Sequence, residues 1–251
     1  MRKITLILLL SIALAGCGKK GMLIPPEALV PAPVSDLRVE QRGWEFRLSW
    51  RAPTKEEAGR PLRDLAGFRL SRRDLQQAGQ TCPSCDESWQ LLQAVDLAYL
   101  QNVRQVGGRY FYTDPALRPD HTYQYQVVSV SRSGGLSRPS NRPERRAVRP
   151  PLSPVLQAQP TRAGIRLEFV AIPPTDAGTL VGYNIYRSRP GEPAPLAPLN
   201  HQPVTGVTYD DQQAVLGETY TYTVRTLARI GTELVESIPS NPVTLVFALP
   251  E

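Results

Sequence analysis

His121-Thr122-Tyr123-Gln124-Tyr125-Gln126-Val127 and Glu218-Thr219-Tyr220-Thr221-Tyr222-Thr223-Val224 are two versions of one phrase. In each, Tyr and Val alternate with polar residues. A period of two is the pattern of a β-strand with one buried face. Tyr125 and Tyr222 therefore share a face with Tyr123 and Tyr220, and all four are expected to fill a core. Working outward, the match between the two halves continues. Leu65-Ala66-Gly67-Phe68-Arg69-Leu70-Ser71-Arg72 answers Leu180-Val181-Gly182-Tyr183-Asn184-Ile185-Tyr186-Arg187. Tyr112-Thr113-Asp114 answers Tyr209-Asp210-Asp211, and Pro139-Ser140-Asn141 answers Pro239-Ser240-Asn241.

Earlier in each half stand the opening strands. The first copy has Val34-Ser35-Asp36-Leu37-Arg38-Val39, then Trp44-Glu45-Phe46-Arg47-Leu48-Ser49-Trp50. The second has Val155-Leu156-Gln157-Ala158, then Gly164-Ile165-Arg166-Leu167-Glu168-Phe169. Strict alternation puts Trp44, Phe46, Leu48 and Trp50 on one face, and Ile165, Leu167 and Phe169 on another. Matched blocks in the same order mean two copies of one all-β unit.

Each copy resembles a fibronectin type III domain. The resemblance rests on the tryptophan of the second strand (Trp50, replaced by Phe169), the Gly-aromatic-x-aliphatic third strand, the Thr-Tyr-x-Tyr-x-Val strand and the trailing Pro-Ser-Asn. It implies two tandem immunoglobulin-like β-sandwiches, with Trp50 and Phe169 in the two cores. It also places Tyr123 and Tyr220 at a tyrosine corner, where a buried ring ends in a hydroxyl bonded to nearby backbone.

Composition agrees. The chain has 25 Pro and 10 Tyr but 2 Met and 2 His. Proline cannot donate to a central ladder, so it marks linkers, edges and turns. The net charge of +6 falls to +4 once Arg2 and Lys3 are set aside. The basic residues are scattered. The densest group, Arg142, Arg145, Arg146 and Arg149, lies among prolines and reads as solvated charge around a linker rather than a nucleic-acid site.

The start of the chain carries an address. Met1-Arg2-Lys3 leads into the apolar run Ile4 to Leu14, then Leu14-Ala15-Gly16-Cys17. A charged start, a short apolar run and small residues before a cut make a signal peptide. The run is shorter than the roughly 20 residues of a spanning helix. Cysteine directly after Leu-Ala-Gly resembles the lipobox of bacterial lipoproteins. That resemblance implies cleavage before Cys17, acylation of the Cys17 thiol and attachment to a membrane. Several acyl chains hold firmly where one does not. Gly18 rather than Asp follows the cysteine, which by the same resemblance implies the outer membrane. The expected organisation is a signal peptide over 1–16, a lipid-anchored Pro-rich tether over 17–33, a first domain over 34–148, a joint over 149–154 and a second domain over 155–248.

The copies differ at one place. The first carries Ala78-Gly79-Gln80-Thr81-Cys82-Pro83-Ser84-Cys85-Asp86, with Trp89 just beyond. The second has a proline-rich run from Pro190 to Pro203. Cys82 and Cys85 are expected to form a local disulfide, since an exported chain lives where disulfides persist. So small a ring gains roughly 2 kcal/mol. The competing readings are weaker: a redox pair wants a helix N-terminus in an α/β frame. Structural zinc wants four ligands, and Asp86 stands where a haem-attaching His would be. Trp89 is the candidate partner contact, with capping of the core as the other reading.

The sequence carries no recognisable nucleophile with its base, Gly-rich phosphate loop or metal-ligand cluster. His121 and His201 lie in loops. Asp114, Asp210 and Asp211 fit turn chemistry, and the Asp210-Asp211 pair is a weak cation motif. The expectation is a non-catalytic envelope lipoprotein, without cofactor, that tethers a spacer or interaction module for an envelope protein or glycan. Two variants stand beside it. One is a glycan-binding accessory to an envelope enzyme. The other is a helper of outer-membrane or lipopolysaccharide export assembly. The second comes from Cys17-Gly18-Lys19-Lys20-Gly21-Met22-Leu23, which resembles the start of small outer-membrane lipopeptides linked to that machine.

Overall fold

A computed structural model of the chain describes residues 29–78, 89–170 and 178–250. The strands lie where alternation placed them. In β2 (Glu45–Arg51), Phe46, Leu48 and Trp50 are buried while the charged Glu45 and Arg51 face out. In β10 (Gly164–Val170), Ile165, Leu167 and Phe169 do the same. The core strand of the first copy is β7 (Thr122–Ser131), that of the second β13 (Thr219–Ile230).

Around them each copy builds two facing sheets. In the first, β1 (Arg38–Arg42), β2, β6 (Arg109–Asp114) and β5 (Val103–Val106) lie side by side. They face β4 (Gln90–Asp96), β3 (Leu65–Asp74), β7 and β8 (Glu144–Arg146). This 1-2-6-5 against 4-3-7-8 order is that of an immunoglobulin-like sandwich. In the second copy, β9 (Val155–Thr161), β10 and β12 (Thr208–Asp211) make one sheet. In the other, β11 (Thr179–Ser188) pairs β13. The far edge of β13 is shared by β14 (Glu233–Glu236) and β15 (Val243–Val246). The chain is thus two β-sandwiches of the fibronectin type III kind. One turn of helix, Leu75–Ala78, follows β3.

The cores are aromatic. Trp50 stacks on Tyr110 at 5.9 Å and meets Phe68 edge-on at 5.6 Å. Phe169 packs on Tyr183 at 4.8 Å. Trp44 departs from the expected face and is 46% exposed. Arg42 pairs with Glu45 across the β1–β2 hairpin, so Gly43 and Trp44 are its two turn residues rather than strand residues. The third-strand glycine has a packing reason. A Cβ on Gly67 would lie 1.9 Å from the Val95 carbonyl oxygen, where β4 crosses the bulged start of β3.

The Pro-Ser-Asn blocks explain how the last strand is broken and still held. Ser137 and Ser140 accept, at 2.8 and 3.0 Å, the backbone N–H groups of Ser129 and Val127. Ser237 and Ser240 do so for Thr226 and Val224 at 2.9 and 3.0 Å. Proline between the serines has no N–H to offer, and the hydroxyls stand in for ladder carbonyls. The following Asn clamps the first strand region: Asn141 bonds both N–H and C=O of Leu37, and Asn241 both of Leu156.

Candidate functional site

The two cores share a buried polar device. Asp114 and Asp211 fall on the inward positions of β6 and β12 and are each 1% exposed. Tyr125 donates its hydroxyl to Asp114 Oδ2 at 2.8 Å, and Tyr222 to Asp211 Oδ2 at 2.7 Å. Arg72 and Arg187 reach the same carboxylates at 2.8 and 2.6 Å. Each guanidinium also lies 4.9 Å from the ring centre of a corner tyrosine, Tyr123 or Tyr220. Those corner hydroxyls accept the backbone N–H of Arg118 and of Val215, at 2.9 and 3.1 Å. Burial, then the neighbouring carboxylate, pushes the Tyr125 and Tyr222 pKa values far above the ordinary tyrosine range. Burial works against the Arg72 charge, and Asp114 more than offsets it. With a neutral phenol, one carboxylate and one cation, each cluster is satisfied, its carboxylate and phenol buried and its guanidinium partly exposed at the rim. It is a structural lock.

The larger feature lies between the copies. Strand β1 pairs in parallel with β14, Gln41 opposite Val235 and Arg42 opposite Glu236, so one sheet runs through both sandwiches. Gly43, at φ 61°, donates its N–H to the Glu236 carbonyl at 2.8 Å. Its missing Cβ would sit 2.7 Å from Ile238 Cγ2, so the turn needs glycine twice over. Beside it the Glu236 carboxylate takes Arg42 Nε at 3.0 Å, the Tyr186 hydroxyl at 2.6 Å and Asn184 Nδ2 at 2.6 Å. Arg42 also donates to the Tyr186 hydroxyl at 2.6 Å. Burial and Glu236 raise the Tyr186 pKa above its usual range, and burial lowers that of Arg42. Arg145 reaches Glu233 Oε2 at 2.7 Å and the Leu234 carbonyl at 2.5 Å. Gln41, 2% exposed, bonds both backbone groups of Val148.

The proline-rich run of the second copy completes the seam. Ala194-Pro195-Leu196-Ala197-Pro198 crosses the outer face of β1, β2, β5 and β6 as a strap. Arg47 and Arg42 donate to the Leu196 carbonyl, and Arg104 donates to that of Ala194. Prolines keep such a segment extended. Its carbonyls are left free to accept, and the arginines of the first copy supply the donors.

The other sequence-derived residues fall as follows. Cys17, Cys82 and Cys85 lie outside the described residues. Trp89 is half-buried on the outer side of the β3 sheet and stands apart from the core cluster. Its ring lies 4.9 Å from the Arg73 guanidinium and 5.3 Å from that of Arg142. Asp210 and Asp211 point to opposite faces of β12. Asp210 holds Arg166 at 2.8 and 3.1 Å, which lowers its pKa, and the two carboxylates do not share a site. His121 Nδ1 is 2.7 Å from Asp74 Oδ2. Among the described residues no group of three His, Cys, Asp or Glu side chains is placed to hold a metal ion, and no helix is long and apolar enough to cross a membrane. Sequence reasoning missed the seam. Its only sequence-level mark was the proline-rich replacement in the second copy.

No family model matches the chain, and no curated protein matches it. Among solved structures, the FN1–FN3 domains of chicken CNTN1 align over 88% of this chain and 69% of that one, at 14% identity and a TM-score of 0.38.

Proposed function

We propose that the protein is a non-catalytic cell-envelope lipoprotein, anchored through Cys17 to the outer membrane, whose two sandwiches act as one stiff spacer and interaction body. The observation that carries this reading is the continuous β1–β14 sheet with its buried Arg42–Glu236–Tyr186 cluster. Such a seam makes the pair a single block rather than two modules swinging on a linker. A stiff block on a tether presents its loops and faces at a defined distance from its anchor. The polar clusters in both cores are saturated internally, which suits scaffolding rather than chemistry. The test is fractionation of cells expressing the wild type and Cys17→Ser. After a high-salt wash, which screens electrostatic attachment, wild type is expected with the outer-membrane fraction and the variant outside membranes; equal distribution of the two after that wash overturns the anchor. Crosslinking in cells followed by purification should then recover an envelope protein or glycan.

A further inference from the structure

The outer face of β1, β2, β5 and β6 is markedly basic. Arg38, Arg47, Arg51, Arg104 and Arg109 line a groove of about 660 Å³ floored by Phe111 and walled by the Pro195–Pro198 strap. Against these five cations the groove wall offers one carboxylate, Glu40, which pairs with Arg47. Asp36 offsets Arg109 at 2.8 Å. Set against Glu40 and Asp36, the five arginines leave the groove with an excess of positive charge. Arg47 and Arg104 are held by strap carbonyls. Arg38 and Arg51 are exposed and ion-paired to no described carboxylate. They flank Arg109 at the end of the sheet where the chain enters: Arg51 ends β2, and the Lys55 carbonyl a few residues on accepts the Ala32 N–H at 2.9 Å.

We infer that this groove binds the phosphate of anionic lipid headgroups in the membrane that carries the anchor. The inference rests on the proposed Cys17 attachment for its choice of ligand. Cys17 stands twelve residues before Leu29. A fully extended chain of that length reaches at most about 40 Å, so the basic end of the sandwich stays near the headgroup layer. Guanidinium groups match phosphate oxygens in geometry as well as charge, and a groove with a wall admits a headgroup beside the Phe111 ring.

The experiment uses the mature chain exported behind an ordinary signal peptide with Cys17→Ser, so that no acyl chain contributes. Binding is read by co-sedimentation with vesicles of phosphatidylcholine alone or mixed with phosphatidylglycerol. Binding is expected to the mixed vesicles and not to phosphatidylcholine. Arg38→Gln with Arg51→Gln should weaken it about thirtyfold, the equivalent of ~1 kcal/mol for each cation near an anionic surface. Arg149→Gln with Arg162→Gln, on exposed sites elsewhere, should leave it unchanged. Binding indifferent to phosphatidylglycerol overturns the inference, as does an equal loss in both variants. Abolition by inorganic phosphate at matched phosphate concentration also overturns it, by reassigning the groove to a free anion. Because this chain is unacylated, failure here is separable from failure of the Cys17 anchor, which fractionation reads by itself.

Discussion

At the scale of single residues, the two Tyr–Asp–Arg clusters are the account's most exposed commitments. Tyr222→Phe keeps the ring and removes a hydrogen bond to the buried Asp211 carboxylate. A bond to a charged group is worth about 1.5–3 kcal/mol, and urea unfolding should show a loss of that size, with Tyr125→Phe similar. The same hydroxyls set an alkaline limit. Tyr125, Tyr186 and Tyr222 all have pKa values raised on folding from 10.0, by burial first and then by Asp114, Glu236 and Asp211. Their contribution is complete below pH 10, where the unfolded phenols are also protonated. It is lost as pH climbs from there towards the folded values, at about 1.4 kcal/mol per pH unit for each. Tyrosinate absorbance of these three should rise together with unfolding rather than before it. Their burial was legible in the alternation of the Tyr strands. The role of Asp114 and Asp211 was harder to see, because both also serve their turns, accepting the Ala116 and Gln213 N–H groups. The signal was present: each ends a strand on the inward parity, after Tyr112 and Tyr209.

At the scale of elements, the interrupted last strand depends on side chains doing the work of backbone. Ser240→Ala leaves the Val224 N–H buried without its acceptor, which costs about 1–3 kcal/mol; hydrogen exchange at Val224 should accelerate beyond the global change. Ser140→Ala should act alike on Val127. The repeat of Pro-Ser-Asn was visible in the sequence as a match. Its purpose needed three dimensions, since the groups it serves are on a strand some fifteen residues away in one case and at the start of the domain in the other. Trp44 shows the opposite failure. Alternation ran one residue pair too far because a two-residue turn carries no polarity of its own here.

At the scale of the whole molecule, the seam decides how the protein behaves. A buried ion pair adds little net stability, but removing one partner costs about 3–5 kcal/mol. Glu236→Ala strands Arg42 beside Arg225. Calorimetry should then resolve two transitions where the wild type shows one. Beyond the proline-rich run of the second copy, the seam left no mark in the sequence, because periodicity reports which face of a strand is buried and says nothing about what lies beyond its edge. The most direct measurement is hydrogen exchange at the Gly43 amide. It sits in a two-residue hairpin turn, and its acceptor is the Glu236 carbonyl of the other sandwich. If the two sandwiches form one body, this amide exchanges as slowly as those of β2 and β13. Exchange at the rate of an open turn would contradict the account.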